Sequence, residues 1–253
     1  MNPIFDFGHP RFVADMSRGY DLSIAVHSGP DQVNCFYAPL FADEPVRMGT
    51  FVGSVYEGGP VNFYNMRYNV HGNGTHTEGV GHISVERNSV NKILKRFWFP
   101  VTVCSVYPTL RENGDRVIEE LTLSQLINGE CSESLALRTL PNPDSKKSRK
   151  YSGQNPVYIS EEAMKYIVSL GVQHLLVDLP SVDREEDGGK LLAHRAFWSG
   201  ERKNDCTITE LIYIDNQIAD GNYLLFLQLA PMELDAVPSR PVLYPLIERK
   251  VPG

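Results

Sequence analysis

The sequence predicts a mixed α/β fold, strand-rich, in a single domain over residues 1–253. Runs of β-branched and aromatic residues recur along the chain, and only two stretches carry a helical pattern. No internal repeat or low-complexity tract divides them. Without strict alternation of strand and helix, the mixed sheet departs from a doubly wound fold.

In chain order, "FVGSVY" (51–56) and "FWFPVTVCSVYP" (97–108) read as strands. "LTLSQLING" reads as a short helix stopped by Gly129. The stretch from Pro141 to Pro156 is dense in Pro, Gly and basic residues; it reads as a solvated surface loop or as a mobile lid. "SEEAMKYIVSLG" is the clearest helix. Ser160 is its natural N-cap, Glu161 and Glu162 suit the positive end of the dipole, and Gly171 suits the left-handed C-terminal position. Met164, Ile167, Val168 and Leu170 form its apolar face. "HLLVDL", "CTITELIYI" and "YLLFLQLAP" follow as strands.

Asp and Glu number 31 against 24 Lys and Arg, for a net charge of −7. That balance argues against nucleic acid or an anionic membrane as partner. The four cysteines form no C-x-x-C pair and read as buried thiols of a reduced, cytoplasmic protein. The N-terminus has no apolar signal region, and no stretch is long and apolar enough for a membrane helix.

The chemistry concentrates in "NVHGNGTHTEGVGHIS", residues 69–84. In an extended strand His76 and Glu78 point the same way, which makes an imidazole–carboxylate pair suited to a divalent ion. His82 follows past Gly79 and Gly81, which let the chain bend it back. The competing interpretation is a polar hairpin with its histidines on an exposed tip. Glu210 adds weight to the metal: its strand neighbours are Ile208, Ile212 and Ile214, taken to share its face. A carboxylate there is costly to bury unless paired or ligated. His194, after an apolar pair in "KLLAHRAFWSG", is structural on its own and a candidate ligand beside such a carboxylate.

"GTHTEGVGH" resembles the signature of the cyclase, or kynurenine formamidase-like, family, usually written H-x-G-T-H-x-D-x-P-x-H. "DLS" at 21–23, "LRT" at 137–139 and "LLVDLPSVD" at 175–183 resemble further blocks of that family. So do "AHRAFW" with "TITELIYI", and "FLQLAPMEL" with "PSRPVLYPL". The resemblance implies a swivelling β/β/α fold, a homodimer or higher homo-oligomer, and one or two divalent ions, zinc or alternatively manganese. It implies hydrolysis of formamides, cyclic amides or related acyl compounds by a metal-activated water. His76, Glu78, His194 and Glu210 then match ligand positions, and His82 matches the catalytic acid/base.

Three positions depart from that pattern. Glu78 stands where aspartate is usual, and Val80 replaces proline. Gly72 occupies the place of the first histidine ligand, with His71 one residue away. A regular strand would turn His71 to the opposite face, so ligation requires a bulge or turn in "HGNG", where glycine makes positive φ accessible. Otherwise His71 is a donor behind the ligands or a substrate contact. Asn34 and Phe36 are candidate substrate contacts, although Phe36 also reads as an ordinary core aromatic. Asp178 and Ser181 read as capping and turn residues.

The expectation is a metal-dependent amidohydrolase acting on a small amide, formamide or cyclic amide. The alternatives are a metal-dependent cyclase or dehydratase on a small acid, and a non-catalytic small-molecule-binding member of the family.

Overall fold

The structure, a computed structural model, describes residues 4–129 and 131–249. Its centre is a sheet closed on itself. The strands are β1 (His76–Glu78), β2 (Trp98–Val106), β3 (Ser134–Thr139), β4 (His174–Val177), β5 (Thr207–Glu210), β6 (Gly221–Leu229) and β7 (Ala236–Glu248). Their order is β7-β6-β2-β3-β4-β5-β1, and β1 pairs again with β7. Strands β2 to β5 pair in parallel, whereas β6, β7 and β1 join antiparallel.

Side-chain alternation sorts residues between the two faces of this ring. Ala136, Leu176, Thr209 and Thr77 are successive cross-strand partners. Ala136 and Leu176 pack with Val101, Val103, Leu225, Leu227 and Leu243 in the cluster that fills the lumen. The next row, Leu135, Leu175, Ile208 and Glu78, faces outward. There Leu135, Leu175 and Ile208 meet helices α1 (Glu120–Ile127), α2 (Glu161–Ser169) and α3 (Leu192–Phe197) through Leu123, Met164, Ile167, Ala193 and Phe197. Residues 42–67 lie outside the ring as two small sheets, Ala42–Pro45 with Tyr64–Arg67 and Arg47–Met48 with Phe51–Val52.

Helix α2 has the expected ends. Ser160 Oγ accepts from Ala163 N at 3.2 Å, and Gly171 takes φ +82°. In α1 the left-handed cap is Asn128 (φ 49°), one residue before the expected stop. "FVGSVY" is strand only at Phe51–Val52; the chain then turns at 55–58. A Cβ on Gly59 would lie 1.9 Å from the Val52 carbonyl oxygen, so the turn folds back too tightly for a strand to continue. "CTITELIYI" also breaks, at Leu211 (φ 55°). Ile212 and Ile214 therefore enter the lumen while Ile208 stays beneath the helices. The isoleucines do not share one face with Glu210.

The stretch 141–156 is mostly exposed surface, as expected of a solvated loop, but it is pinned at buried Asn142, Lys146 and Tyr151 and is no free lid. Lys146 is buried and donates to Asp178 Oδ2 at 2.6 Å, Thr139 O at 2.6 Å and Thr139 Oγ1 at 2.8 Å. Asp178 also accepts from Thr139 N at 2.9 Å, so it anchors this segment rather than capping a turn. Ser181 does form the expected local turn, accepting from Asp183 N at 3.1 Å. No helix of the described residues is long and apolar enough to cross a membrane.

Removing one member of a buried ion pair strands the other charge. Lys146→Met is expected to cost about 3–5 kcal/mol in urea denaturation. Lys146→Met with Asp178→Leu should recover most of that loss. Equal losses in single and double variants would show that the pair itself is not the anchor.

Candidate metal centre

Strand register assembles the centre. Strand β1 runs antiparallel to β5 with His76 opposite Glu210 and Glu78 opposite Ile208. His76 Nε2 lies 3.5 Å from Glu210 Oε2. Helix α3 crosses the same face and brings His194 Nε2 to 3.0 Å from Glu78 Oε1 and 3.8 Å from Glu210 Oε1. The helix is only six residues long, too short to announce itself by periodicity. Its N-terminal amides are capped from a distance: Asp183 accepts from Ala193 N at 2.7 Å and His194 N at 3.2 Å.

His71 joins the cluster because the chain is not a regular strand before β1. It turns at 70–72. Asn69 and Asn73 brace the turn: Asn69 Oδ1 accepts from Gly72 N at 2.8 Å, and Asn73 Oδ1 accepts from Asn69 N at 2.8 Å. His71 Nδ1 thereby comes 3.3 Å from Glu78 Oε2. The glycines serve a different purpose from the one expected, since neither Gly72 nor Gly74 has positive φ. They provide room: a Cβ would lie 2.3 Å from Ala38 Cβ at Gly72 and 2.7 Å from Val26 Cγ2 at Gly74.

His82 ends the 3₁₀ turn Val80–His82, with Nδ1 3.7 Å from Glu78 Oε2. A further carboxylate, unanticipated from the sequence, is Asp235, just before β7. Its Oδ2 lies 3.2 Å from His71 Nε2 and 3.5 Å from His82 Nδ1. No local pattern marks it; only the return of β7 beside β1 places it there.

Several imidazole nitrogens are oriented by other groups, as metal-ligating histidines usually are. His76 Nδ1 contacts Gly74 O at 3.0 Å, and His194 Nδ1 contacts Asp183 Oδ2 at 2.6 Å. Each acceptor holds the proton on Nδ1 and turns Nε2 towards the carboxylates. Glu210 Oε1 accepts from Val182 N at 3.0 Å. Burial alone would lower the pKa of His71, but hydrogen bonds to Asp235 and Glu78 carry it up to about 10. Burial likewise opposes protonation of His194, and hydrogen bonds to Asp183 and Glu78 carry it up to about 10. Burial works against ionisation of Glu78, yet the charge of His82 and hydrogen bonds from His194 and His71 hold it well below the usual carboxylate range.

The donor set fits a divalent cation. His76 Nε2 and Glu78 Oε2 are buried and neither has a hydrogen bond of good geometry, the latter meeting only His71 Nδ1 at 3.3 Å, an unfavourable state that a cation would relieve. Ligand atoms each about 2.0–2.2 Å from one ion lie roughly 3–4 Å from one another. The His76–Glu210 and His194–Glu78 separations of 3.5 and 3.0 Å fall in that range. Three groups bring their ligand atoms within 4.8 Å of one another: His71–His76–Glu78, Glu78–His82–His194 and His71–His82–Asp235.

The substrate-contact candidates, Asn34 and Phe36, flank Cys35. Asn34 spends its amide on Ala38 O at 3.1 Å, inside its own turn. Phe36 is exposed in a left-handed conformation (φ 58°), so it is no core aromatic. Their segment abuts the His71 turn, with Cys35 N donating to Gly72 O at 3.1 Å.

A family model described as "Putative cyclase" matches residues 20–184. The chain belongs to the cyclase family. The matched span includes His71, His76, Glu78 and His82; the fold brings His194, Glu210 and Asp235 to them from beyond it. Solved structures share the family's architecture. Isatin hydrolase A from Labrenzia aggregata, bound to benzyl benzoate, is 15% identical, with 90% of this chain and 93% of that chain covered at a TM-score of 0.64. Isatin hydrolase A from Ralstonia solanacearum is 16% identical, with coverages of 91% and 92% and a TM-score of 0.64. A potential metal-dependent hydrolase with cyclase activity is 14% identical, with coverages of 92% and 99% and a TM-score of 0.61. At these identities the likeness is one of fold. Comparison with curated proteins gave no match.

Because ligating imidazoles must be neutral, cation binding has to displace the protons held by His71 and His194. Calorimetry at pH 7 in two buffers of different ionisation enthalpy should show proton release on zinc binding. In chelated protein, raised histidine pKa values contribute stability that is complete below the unfolded value of about 6.5. That contribution falls away as pH approaches 10, so the Tm of the chelated protein should drop across this window. A flat profile would contradict the assigned ion pairs.

Proposed function

We propose that the chain is a metal-dependent hydrolase of small amides, formamides or cyclic amides. The observation that carries this reading is the pair of buried atoms without a hydrogen bond of good geometry, His76 Nε2 and Glu78 Oε2, within a histidine–carboxylate cluster. His76, Glu78, His194 and Glu210 would hold the cation, zinc or alternatively manganese, and His71 would extend the site to a second. When bound, such a cation supplies Lewis-acid charge to an acyl oxygen and makes water acidic near neutral pH.

The chain's own groups supply the rest. The carboxyl groups of Glu210 and Glu78 face the place where the cation would sit, beside His76 and His194. Asp183 holds His194 in the tautomer that offers Nε2. His82 is half-buried, and its Nδ1 faces Glu78 and Asp235 at 3.7 and 3.5 Å. The ring is partly open to solvent, which suits a proton shuttle between water and a leaving nitrogen. A cytoplasmic setting and a homodimer belong to the same reading. Free cysteines support the first, and exposed Met48, Tyr56 and Phe63 support the second. The family's name, and a neighbour described as having cyclase activity, keep ring formation as the second reading. Ring closure or opening without consumption of water would select it.

Glu210→Gln keeps volume and loses charge. It should lower metal affinity by at least about 10–100-fold and abolish turnover, with the circular dichroism spectrum unchanged. Unchanged metal content with a lowered Tm would make Glu210 a structural residue instead.

For His82→Ala the expected result is a turnover loss of about 10²–10⁴-fold with near-normal metal content. Parallel loss of metal and activity would make His82 a ligand.

A further inference from the structure

The parallel strands β2, β3 and β4 are neighbours, and the chain leaving them lines a cavity of about 310 Å³. Tyr107 and Pro108 follow β2, Leu140 and Pro141 follow β3, and Asp178 and Leu179 follow β4. In α/β sheets, the crevice outside the carboxyl ends of the strands is where ligands commonly bind. A small sheet of Thr109–Leu110, Arg116–Ile118 and Tyr158–Ile159 contributes Leu110 and Arg116, which are register partners within it. The stretch 141–156 contributes Pro143, Lys146, Arg149, Tyr151 and Gln154.

The charges in this lining do not balance. Lys146 and Asp178 pair with each other at 2.6 Å, which leaves Arg116 and Arg149. Neither arginine has a carboxylate within 4.0 Å among the described residues; Arg149 reaches only Ser145 Oγ, at 3.5 Å. Arg116 is exposed and Arg149 half-buried, so both present surface to a ligand. The chain as a whole carries a net charge of −7, and surplus positive charge in one cavity runs against that balance. By comparison, the cavity that includes Asp183 has five acidic residues in its lining and three basic ones.

Apolar surface lies in the same lining. Tyr107 and Leu110 are 69% and 71% exposed, and prolines 108, 141 and 143 stand with them. A planar guanidinium fork matches a carboxylate in two parallel hydrogen bonds, while exposed apolar side chains favour a ligand with an apolar body. The volume is at the lower end of ordinary small-molecule pockets.

We propose that this cavity binds a small organic acid, its carboxylate paired by Arg116 and Arg149 and its apolar body resting on Tyr107 and Leu110. None of the residues in the metal cluster lines it, so the site is separate from that centre and independent of the hydrolase reading.

The probe is 2-naphthoate, titrated by calorimetry into chelated and zinc-loaded protein. One equivalent should bind with the same affinity in each. Uncharged 2-naphthamide keeps the shape and loses the charge; inorganic phosphate keeps charge and lacks the apolar body. Each should bind at least about 10-fold more weakly than the acid. Arg116→Gln with Arg149→Gln should weaken naphthoate binding by about 10-fold or more. Little change in Tm is expected there, because neither arginine has an ion pair to lose. Leu110→Glu, which sets a carboxylate opposite Arg116, should weaken binding as much. Binding only with zinc would place the acid at the metal and overturn the proposal. So would no binding at all, equal affinity for the amide or phosphate, or undiminished binding in either variant.

Discussion

The site depends on the pairing of a three-residue strand, His76–Glu78, with a neighbour on either side. On one side β5 sets Glu210 opposite His76; on the other β7 sets Pro238 opposite His76 and carries Asp235 in just beyond. All three residues of β1 are fully buried. A slip of one residue would turn His76 and Glu78 into the lumen and Thr77 out to the helices. The Thr77–Thr209 hydroxyl contact at 2.8 Å on the lumen face marks the register from the other side. Packing and chemistry therefore select the same alignment.

A second line of support runs through Asp183. Strand β4 ends at Val177, and the chain continues through Asp178, held by Lys146, to the turn that presents Asp183. One carboxylate then performs two tasks. It caps α3 through two backbone amides and fixes the ring of His194 through a third contact. Helix α3 is short, and its orientation is set by the same group that orients its functional side chain. The buried Lys146–Asp178 pair thus lies at the base of the connection leading to His194, although neither residue is in the cluster.

The sequence disclosed what depends on short-range parity. His76 and Glu78 share a face because they are two apart in a strand, and that needed no tertiary information. Ser160 and Gly171 bounded α2 for equally local reasons. Glu210 was singled out on a premise that does not hold: the isoleucines after it change face at Leu211, whose left-handed conformation has no sequence signal in a β-branched run. His71 was legible only as a question, because its answer lies in hydrogen bonds between Asn69 and Asn73. Asp235 and the long-range cap from Asp183 were illegible. Both arise where distant segments meet, and residue spacing carries no record of that. Composition marked the basic stretch 141–156 as surface, which most of it is, but carried no sign that one of its lysines is buried against Asp178.

Closure of the ring has a consequence for how copies of this chain can meet. Because β1 is paired on both sides the ring closes, and the sheet continues beyond it only through short strands on β7, Tyr20–Asp21 and Phe12–Asp15 with Ile4–Phe5. Strand addition, the common route to runaway sheet growth, is left to those outlying strands rather than to the ring. Association involving the ring must proceed through side-chain surfaces, whose shape and polarity can discriminate between partners in a way that bare peptide groups cannot.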